Sequence, residues 1–168
     1  MSMGLPPSVY LCGPIRDEYH EDIVWREKFI HDVGDNAIVY NPLAGHTFNH
    51  AQSVWSQHGV PVSSSLIVKQ DLWMVDHADI LVANLLPLAD EYPCLGSLME
   101  IGRASAHGAL VFAAIPDGFG RIVEMLQAHP FVTELIARRF HDIESMTAFV
   151  TSTVLSISGE VAKFGGYE

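Results

Sequence analysis

The chain of 168 residues carries a formal net charge of −11, and 49% of its residues are hydrophobic. This length and apolar content suit one folded domain, 1–168, and exclude an intrinsically disordered chain. The acidic charge disfavours a nucleic-acid polymer as partner, because such partners bind basic patches. No apolar run approaches the roughly 18 residues of a membrane span, so we expect no membrane partner.

Two cysteines, Cys12 and Cys94, stand outside any Cys-x-x-Cys pair. The first residues, MSMGLPPS, lack the basic and apolar regions of a secretion signal. We therefore expect a cytoplasmic protein with reduced thiols.

Short apolar runs alternate with helix-like segments along the whole chain. The run DILVANL, for example, is almost continuously apolar, as central parallel strands are. The predicted strands cover 8–12, 37–40, 79–85, 109–115 and 135–140. The predicted helices cover 17–33, 63–77, 96–107, 120–128 and 143–156. Residues 43–62 are rich in Gly, His, Asn, Ser and Pro and are interpreted as a long loop, with room for a short helix, of the kind that forms lids or binding segments.

This alternation predicts an α/β fold: a flavodoxin-like or Rossmann-like doubly wound sheet of about five mostly parallel strands, order 2-1-3-4-5, with helices on both faces. Ligands of such sheets bind beyond the carboxyl ends of the strands, where the strand order reverses. The residues delivered to this crevice are Tyr10, Cys12, Gly13, Arg16, Asn84 and, after a further loop, Glu100. Asn41 follows the second strand and either reaches the crevice or caps its own turn.

Glu100 interrupts a largely apolar helix in the segment PCLGSLMEIGRASAHG, 93–108. A carboxylate near a helix start is either a solvated residue that favours the helix dipole or a group held at the edge of a pocket. The predicted topology places Glu100 at the crevice, so the residues alone support both interpretations equally.

Three segments together resemble the nucleoside 2-deoxyribosyltransferase family, which includes the related deoxynucleoside 5′-monophosphate N-glycosidases. They are VYLCGPIR at 9–16, KQDLWMVDHADILVANL at 69–85 and PCLGSLMEIGRASAHG at 93–108. The family pattern has a strand like YLAGP, then an Asp in a helix that leads into a strand like ADxxVA, a loop with glycine, and a helix that opens with E-[IL]-G-x-A. The order and spacing of these segments carry the resemblance.

The resemblance implies three catalytic residues. Glu100 matches the nucleophile that attacks the anomeric carbon of the sugar, and Asp71 matches the carboxylate that handles the base or its proton. Tyr10 matches the tyrosine whose phenol lies against the nucleophile. These residue types suit the chemistry, since cleavage of an N-glycosidic bond builds positive charge on the sugar and the leaving base needs a proton. We expect backbone amides at the helix start to keep Glu100 ionised.

The resemblance also implies substrate contacts. It assigns the turn that contacts sugar and phosphate to Gly13, Ile15 and Arg16, and the loop glycine to Gly96. Arg16 and Ser97 are candidate contacts for phosphate or a hydroxyl group, and Asn41 and Asn84 complete the predicted substrate-binding set.

The chain departs from both branches of the family. Cys94 occupies a position where the transferases often have Asp and the monophosphate hydrolases have a phosphate-binding Ser. Pro14 stands where those hydrolases often have Ser. Transfer and hydrolysis, and nucleoside and monophosphate substrates, therefore both stay open.

Other residues have weaker claims on function. Neither GxGxxG nor GxxxxGK[ST] occurs, so we expect no cofactor. His46, His50 and His58 lie in the predicted loop without an HExxH pattern, so we expect no metal site. Trp25 and Trp73 lie in predicted helices and are expected in the core, whereas the loop aromatics Phe48 and Trp55 are candidates for base stacking.

The function that these observations favour is transfer of a sugar between bases through a covalent sugar–Glu100 intermediate. The alternatives are hydrolysis of a nucleoside 5′-monophosphate, a non-catalytic nucleotide-binding module and a flavin-binding domain. The expected partners are a small nucleoside or nucleotide and further copies of the chain. Phe164 and Tyr167, in the predicted tail 162–168, are expected to pack on a neighbouring subunit near its long loop.

Overall fold

The computed structural model describes residues 5–14, 21–49, 54–86, 95–118 and 120–164. Its main sheet has five parallel strands in the order β2-β1-β6-β7-β8. These strands are β1 (Ser8–Cys12), β2 (Ile38–Tyr40), β6 (Ile80–Asn84), β7 (Leu110–Ala114) and β8 (Arg138–Phe140). Counted within this sheet, the order is 2-1-3-4-5, so the predicted α/β fold and strand order are confirmed.

Helices cover the sheet and bury it on both faces. They are α1 (Glu21–Val33), α2 (Ser64–Asp76), α3 (Leu95–Ala106), α4 (Arg121–Ala128), α5 (Pro130–Thr133) and α6 (Ile143–Phe164). Alternate residues of each strand enter different cores. Tyr10 and Leu81 pack with residues of α2, α3 and α4, whereas Val9 and Val82 pack with residues of α1 and α6. Strands β1 and β6 are buried at every residue, which explains their nearly continuous apolar runs.

The carboxyl ends of β1 and β6 meet where the strand order reverses. Cys12, the last residue of β1, pairs with Ala83 of β6. From these two central strands the chain continues outward in opposite directions, to β2 on one side and to β7 on the other. The residues that follow β1 and β6 therefore flank one crevice.

A second, antiparallel sheet replaces the predicted loop at 43–62. It contains β3 (His46–Asn49), β4 (Val54–Gln57) and β5 (Val60–Val62). His58 and Gly59 join β4 to β5, and both have positive φ angles, 49° and 81°, as a two-residue hairpin turn of this hand requires. The loop prediction was wrong here. The surrounding residues are rich in polar side chains and proline, which are typical of loops, and the His-Gly pair was therefore not recognised as a hairpin turn.

Two further expectations need correction, and part of a third lies outside the described residues. Helix α1 begins at Glu21 among the described residues, and the predicted start, 17–20, lies outside them. Helix α6 extends to Phe164, so this residue belongs to the helix and does not follow it, while Tyr167 lies outside the described residues. Trp25 is buried as expected, but Trp73 is 54% exposed, so its assignment to the core was wrong.

Candidate active site

A tyrosine and a glutamate form the centre of the crevice. The hydroxyl of Tyr10, on β1, donates a hydrogen bond of 3.0 Å to Oε1 of Glu100, on α3. The Tyr10 side chain is fully buried. Burial, followed by the charge of Glu100, raises the pKa of Tyr10 far above its usual value. Tyr10 therefore stays a neutral hydrogen-bond donor to the carboxylate.

The environment of Glu100 differs from the expected helix start. Helix α3 begins at Leu95, so Glu100 lies in the second turn, beyond the four free amides of a helix N-terminus. Burial raises its pKa above the ordinary value, whereas hydrogen bonds from Cys12 and Tyr10 and the charge of Arg26 act to lower it. Side chains from β1 and α1, and not backbone amides, therefore support the ionised carboxylate.

Cys12, which the predicted topology delivers to the crevice, and Arg26, which sequence reasoning missed, are the two supporting residues. Cys12 lies two residues after Tyr10 on β1, so both side chains point to the same face of the sheet. Arg26 is 1% exposed, and its Nη2 donates a hydrogen bond of 3.1 Å to the carbonyl of Gly13. It stands three residues before the buried Phe29, at the spacing of the inward face of α1. That spacing was the available signal.

Asp71 lies on α2 and provides a second carboxyl group with a different environment. Burial, and after it the negative charge of Glu100, raises the pKa of Asp71 to about 7, although His46 acts to lower it. Its Oδ1 is buried and has no hydrogen-bond partner among the described residues. Asp71 is therefore protonated over part of the neutral range. A carboxyl group in this state can donate a proton to a leaving group.

Gly13 is required by the close approach of β1 and β6. Its φ is +154°, and a Cβ atom there would lie 3.0 Å from the carbonyl oxygen of Asn84. Asn84 is itself buried, and its Oδ1 accepts a hydrogen bond of 3.2 Å from the amide of Leu86. Gly13 and Asn84 thus shape the crevice through the backbone at the ends of the two strands.

The remaining predicted contacts divide into three groups. The Oδ1 of Asn41 accepts a hydrogen bond of 3.1 Å from the amide of Leu43, so Asn41 caps its own turn. Ser97 is buried, with its carbonyl 3.8 Å from the Cys12 sulfur, whereas Gly96 is exposed in the first turn of α3. Ile15, Arg16 and Cys94 lie outside the described residues.

The aromatic candidates for base stacking lie in the second sheet. Phe48 of β3 pairs in register with Trp55 of β4, and Trp55 is half-buried. His46, one of the three histidines considered as metal ligands in the sequence, begins β3. Its Nδ1 lies 2.8 Å from the carbonyl oxygen of Pro42. The ring is thus held by the backbone of the turn that precedes β3.

Comparison with known proteins identifies the family of the chain. The family model described as nucleoside 2-deoxyribosyltransferase matches residues 9–133, and the chain belongs to this family. No curated protein matches the chain. Within the described residues, no helix is long and apolar enough to cross a bilayer.

Three solved structures share the fold. A conserved protein from Enterococcus faecalis V583 is 18% identical with a TM-score of 0.59, and the match covers 88% of this chain and 99% of that one. A CMP N-glycosidase from Clostridium botulinum is 14% identical with a TM-score of 0.51, covering 85% and 97%. A 2-deoxyribosyltransferase from Leishmania mexicana is 16% identical with a TM-score of 0.54, covering 88% and 98%.

Proposed function

We propose that the chain is an enzyme that cleaves the N-glycosidic bond of a (deoxy)nucleoside and transfers the sugar to another base. The observation that carries this proposal is the pairing of two unlike carboxyl groups at one crevice. Glu100 is held by the Tyr10 hydroxyl, and Asp71 has its pKa raised to about 7. Glycosyl transfer needs this division, because one carboxylate must attack while another group supplies a proton.

In the proposed reaction a carboxylate oxygen of Glu100 forms a bond to the anomeric carbon as the bond from that carbon to the base nitrogen breaks. The electron pair of the broken bond stays on the base, and the proton of Asp71 neutralises it. A second base then attacks the anomeric carbon, the Glu100 ester is cleaved, and the proton displaced from the incoming base returns to Asp71. Tyr10 and Cys12 orient the carboxylate throughout.

The test is incubation with deoxynucleosides and deoxynucleoside 5′-monophosphates, with and without a second base, followed by chromatography. Base exchange supports the proposal, and intact-protein mass spectrometry should show a sugar-sized adduct on Glu100. Base release from monophosphates alone would support the alternative, a monophosphate N-glycosidase, which the similarity to the Clostridium botulinum enzyme favours. Nucleotide binding with no product from any substrate would refute catalysis and leave a binding module.

We also propose that the protein is a homodimer or a larger homo-oligomer. The support is the set of large apolar side chains left exposed on α2 and α3, including Val68, Leu95 and Met99 at 54%, 67% and 69% exposure. Light scattering on the purified protein tests this proposal. A monomer at micromolar concentration would refute it.

A further inference from the structure

A cavity of about 380 Å³ opens beside the candidate active site. Helix α2 forms one wall, and the turn after β2 and the second sheet form the others. The lining residues are Asn41, Ala44, His46, Gln57, Lys69, Gln70, Trp73 and Met74. Its volume lies in the range of small-molecule sites, which begin at roughly 300 Å³. Gln70 is the neighbour of Asp71 on α2, and His46 lies near enough to Asp71 to influence it, so the cavity adjoins the carboxyl pair.

Two polar atoms on this lining are buried and have no hydrogen-bond partner within the described part of the chain. They are Nε2 of His46 and Oε1 of Gln70. Buried polar groups are almost always paired in folded proteins, because removal from water without a partner is costly. Because these atoms belong to residues on different walls of one cavity, a molecule bound between the walls could complete their hydrogen bonds after small rotations of the two side chains.

The chemistry of these two atoms defines the groups that they can bind. The Nδ1 of His46 lies 2.8 Å from the carbonyl oxygen of Pro42, and a carbonyl oxygen only accepts. The proton of the neutral ring is therefore on Nδ1, and Nε2 is left as an acceptor. Oε1 of Gln70 is also an acceptor. Both atoms thus need hydrogen-bond donors from the ligand.

Nucleobases differ in this respect. Cytosine and adenine carry an exocyclic amino group with two N–H donors, whereas uracil and hypoxanthine carry a carbonyl oxygen at the same position. A carbonyl oxygen facing two acceptors leaves all three atoms unpaired. The aromatic ring of Trp73 also lines the cavity and offers a flat surface, and Lys69 supplies a donor at the exposed rim for a ring carbonyl such as that of cytosine.

We propose that this cavity binds the nucleobase and selects amino-substituted bases over their oxo counterparts through His46 Nε2 and Gln70 Oε1. That the bound base belongs to a substrate that is cleaved rests on the proposed function. The preference for amino-substituted bases is a property of binding and can be measured without cleavage. Sites built to pair a polar ligand group discriminate strongly against analogues that cannot pair. We expect at least a tenfold preference for cytosine over uracil and for adenine over hypoxanthine.

Calorimetry measures this preference with the free bases cytosine, uracil, adenine and hypoxanthine on the wild-type protein, which requires no turnover. Competition between deoxycytidine and deoxyuridine then measures it in cleavage. Gln70→Met is close in shape and removes the acceptor, so the preference should fall severalfold, and His46→Phe should do the same. Gln127→Met makes the same change on the exposed side of α4 and should retain the preference.

The outcomes separate the two proposals. Preferential binding of amino bases without any cleavage would uphold the cavity assignment and refute the proposed function. Cleavage with equal use of amino and oxo bases would uphold the function and overturn the base preference. A preference that survives in both Gln70→Met and His46→Phe would also overturn it, and absence of both binding and cleavage would refute both proposals.

Discussion

Two aspartates on helix α2 lie five residues apart and meet the same neighbouring helix in opposite ways. Asp76 is bound by Arg103 through both carboxylate oxygens and lies 3.0 Å from Nε2 of His107. The hydrogen bond from Arg103 holds the pKa of Asp76 below its usual value. Asp71 faces Glu100, and burial with this like charge raises its pKa to about 7.

The difference comes from the residues that α3 presents. Glu100 and Arg103 lie three residues apart on one face of α3, and His107 follows directly after the helix at the next position along that face. Where α3 offers the cation of Arg103, α2 has an aspartate whose lowered pKa keeps it ionised at neutral pH, and the pair joins the helices. Where α3 offers the half-buried Glu100, α2 has an aspartate that keeps its proton over part of the neutral range. The first arrangement is typical of a structural ion pair, and the second is typical of an active site.

The largest expected effect follows from removal of the proposed nucleophile, Glu100. Glu100→Gln keeps the shape of the side chain and the Tyr10 contact but carries no charge and is a poor nucleophile. We expect kcat/KM to fall by roughly 10³-fold or more while the fold is retained. Steady-state kinetics with circular dichroism measures both. The exposed substitution Glu134→Gln is the control, and near wild-type turnover in Glu100→Gln would make this glutamate a structural residue.

The second prediction concerns the proton on Asp71. Asp71→Asn should slow the reaction by about 10²-fold for bases that leave poorly and less for bases that leave well. In the wild type, the rate with poor leaving groups should decline as pH rises through about 7, because Asp71 then loses its proton. The variant should lack this decline. Equal slowing for all bases would indicate that Asp71 only positions the substrate.

The third prediction sharpens the contrast between the two aspartates through stability. Because the pKa of Asp71 is raised in the folded protein, folding loses stability as pH rises from about 4 to about 7, and the loss persists above that range. Asp71→Asn should therefore increase the free energy of unfolding at pH 8 by about 1 to 3 kcal/mol and much less at pH 4. Urea denaturation at the two pH values measures the change.

Asp76→Asn should act in the opposite direction. The pKa of Asp76 is lowered in the folded protein, so its contribution to stability is present above its usual pKa and is lost as pH falls through the lowered value. The variant should be slightly less stable than wild type at pH 8. If both variants shifted stability in the same direction, the two aspartates would not differ in the way described.

The sequence predicted the sheet and the crevice from local patterns, and the family resemblance implied the contact between Tyr10 and Glu100. Apolar runs identify buried strands, and strand ends determine which residues meet at the crevice. Tyr10 and Glu100 were therefore placed correctly, 90 residues apart in the chain and 3.0 Å apart in space. The strand order 2-1-3-4-5 followed from the same alternation.

The errors occurred where a residue's role depends on its three-dimensional neighbours. The helix-start argument for Glu100 failed because the glutamate lies in the second turn of α3, beyond the free backbone amides, and its support comes from the side chains of Tyr10, Cys12 and Arg26. Trp73 resembles a core residue in sequence, but the cavity beside α2 leaves it exposed. For Asn41 the sequence left two roles open, a contact in the crevice and a cap of its own turn. In the structure its side chain accepts a hydrogen bond from the amide of Leu43 in that turn.

The smallest expected effect concerns Cys12, which distinguishes the Glu100 environment from that of Asp71. The Cys12 thiol has two acceptors within reach, the Ser97 carbonyl oxygen at 3.8 Å and Glu100, and its hydrogen bond to Glu100 helps to limit the rise in the pKa of that carboxyl. Cys12→Ala removes this donor, so the acidic limb of the pH–rate profile should move upward, by about half a pH unit because a thiol is a weak donor. Cys12→Ser retains a donor and should keep the limb at or below its wild-type position. The measurement is kcat/KM between pH 4 and 8, with urea denaturation to account for altered packing. Equal shifts in the two variants would show that Cys12 acts by filling space beside Ser97 and not by hydrogen bonding to the carboxylate.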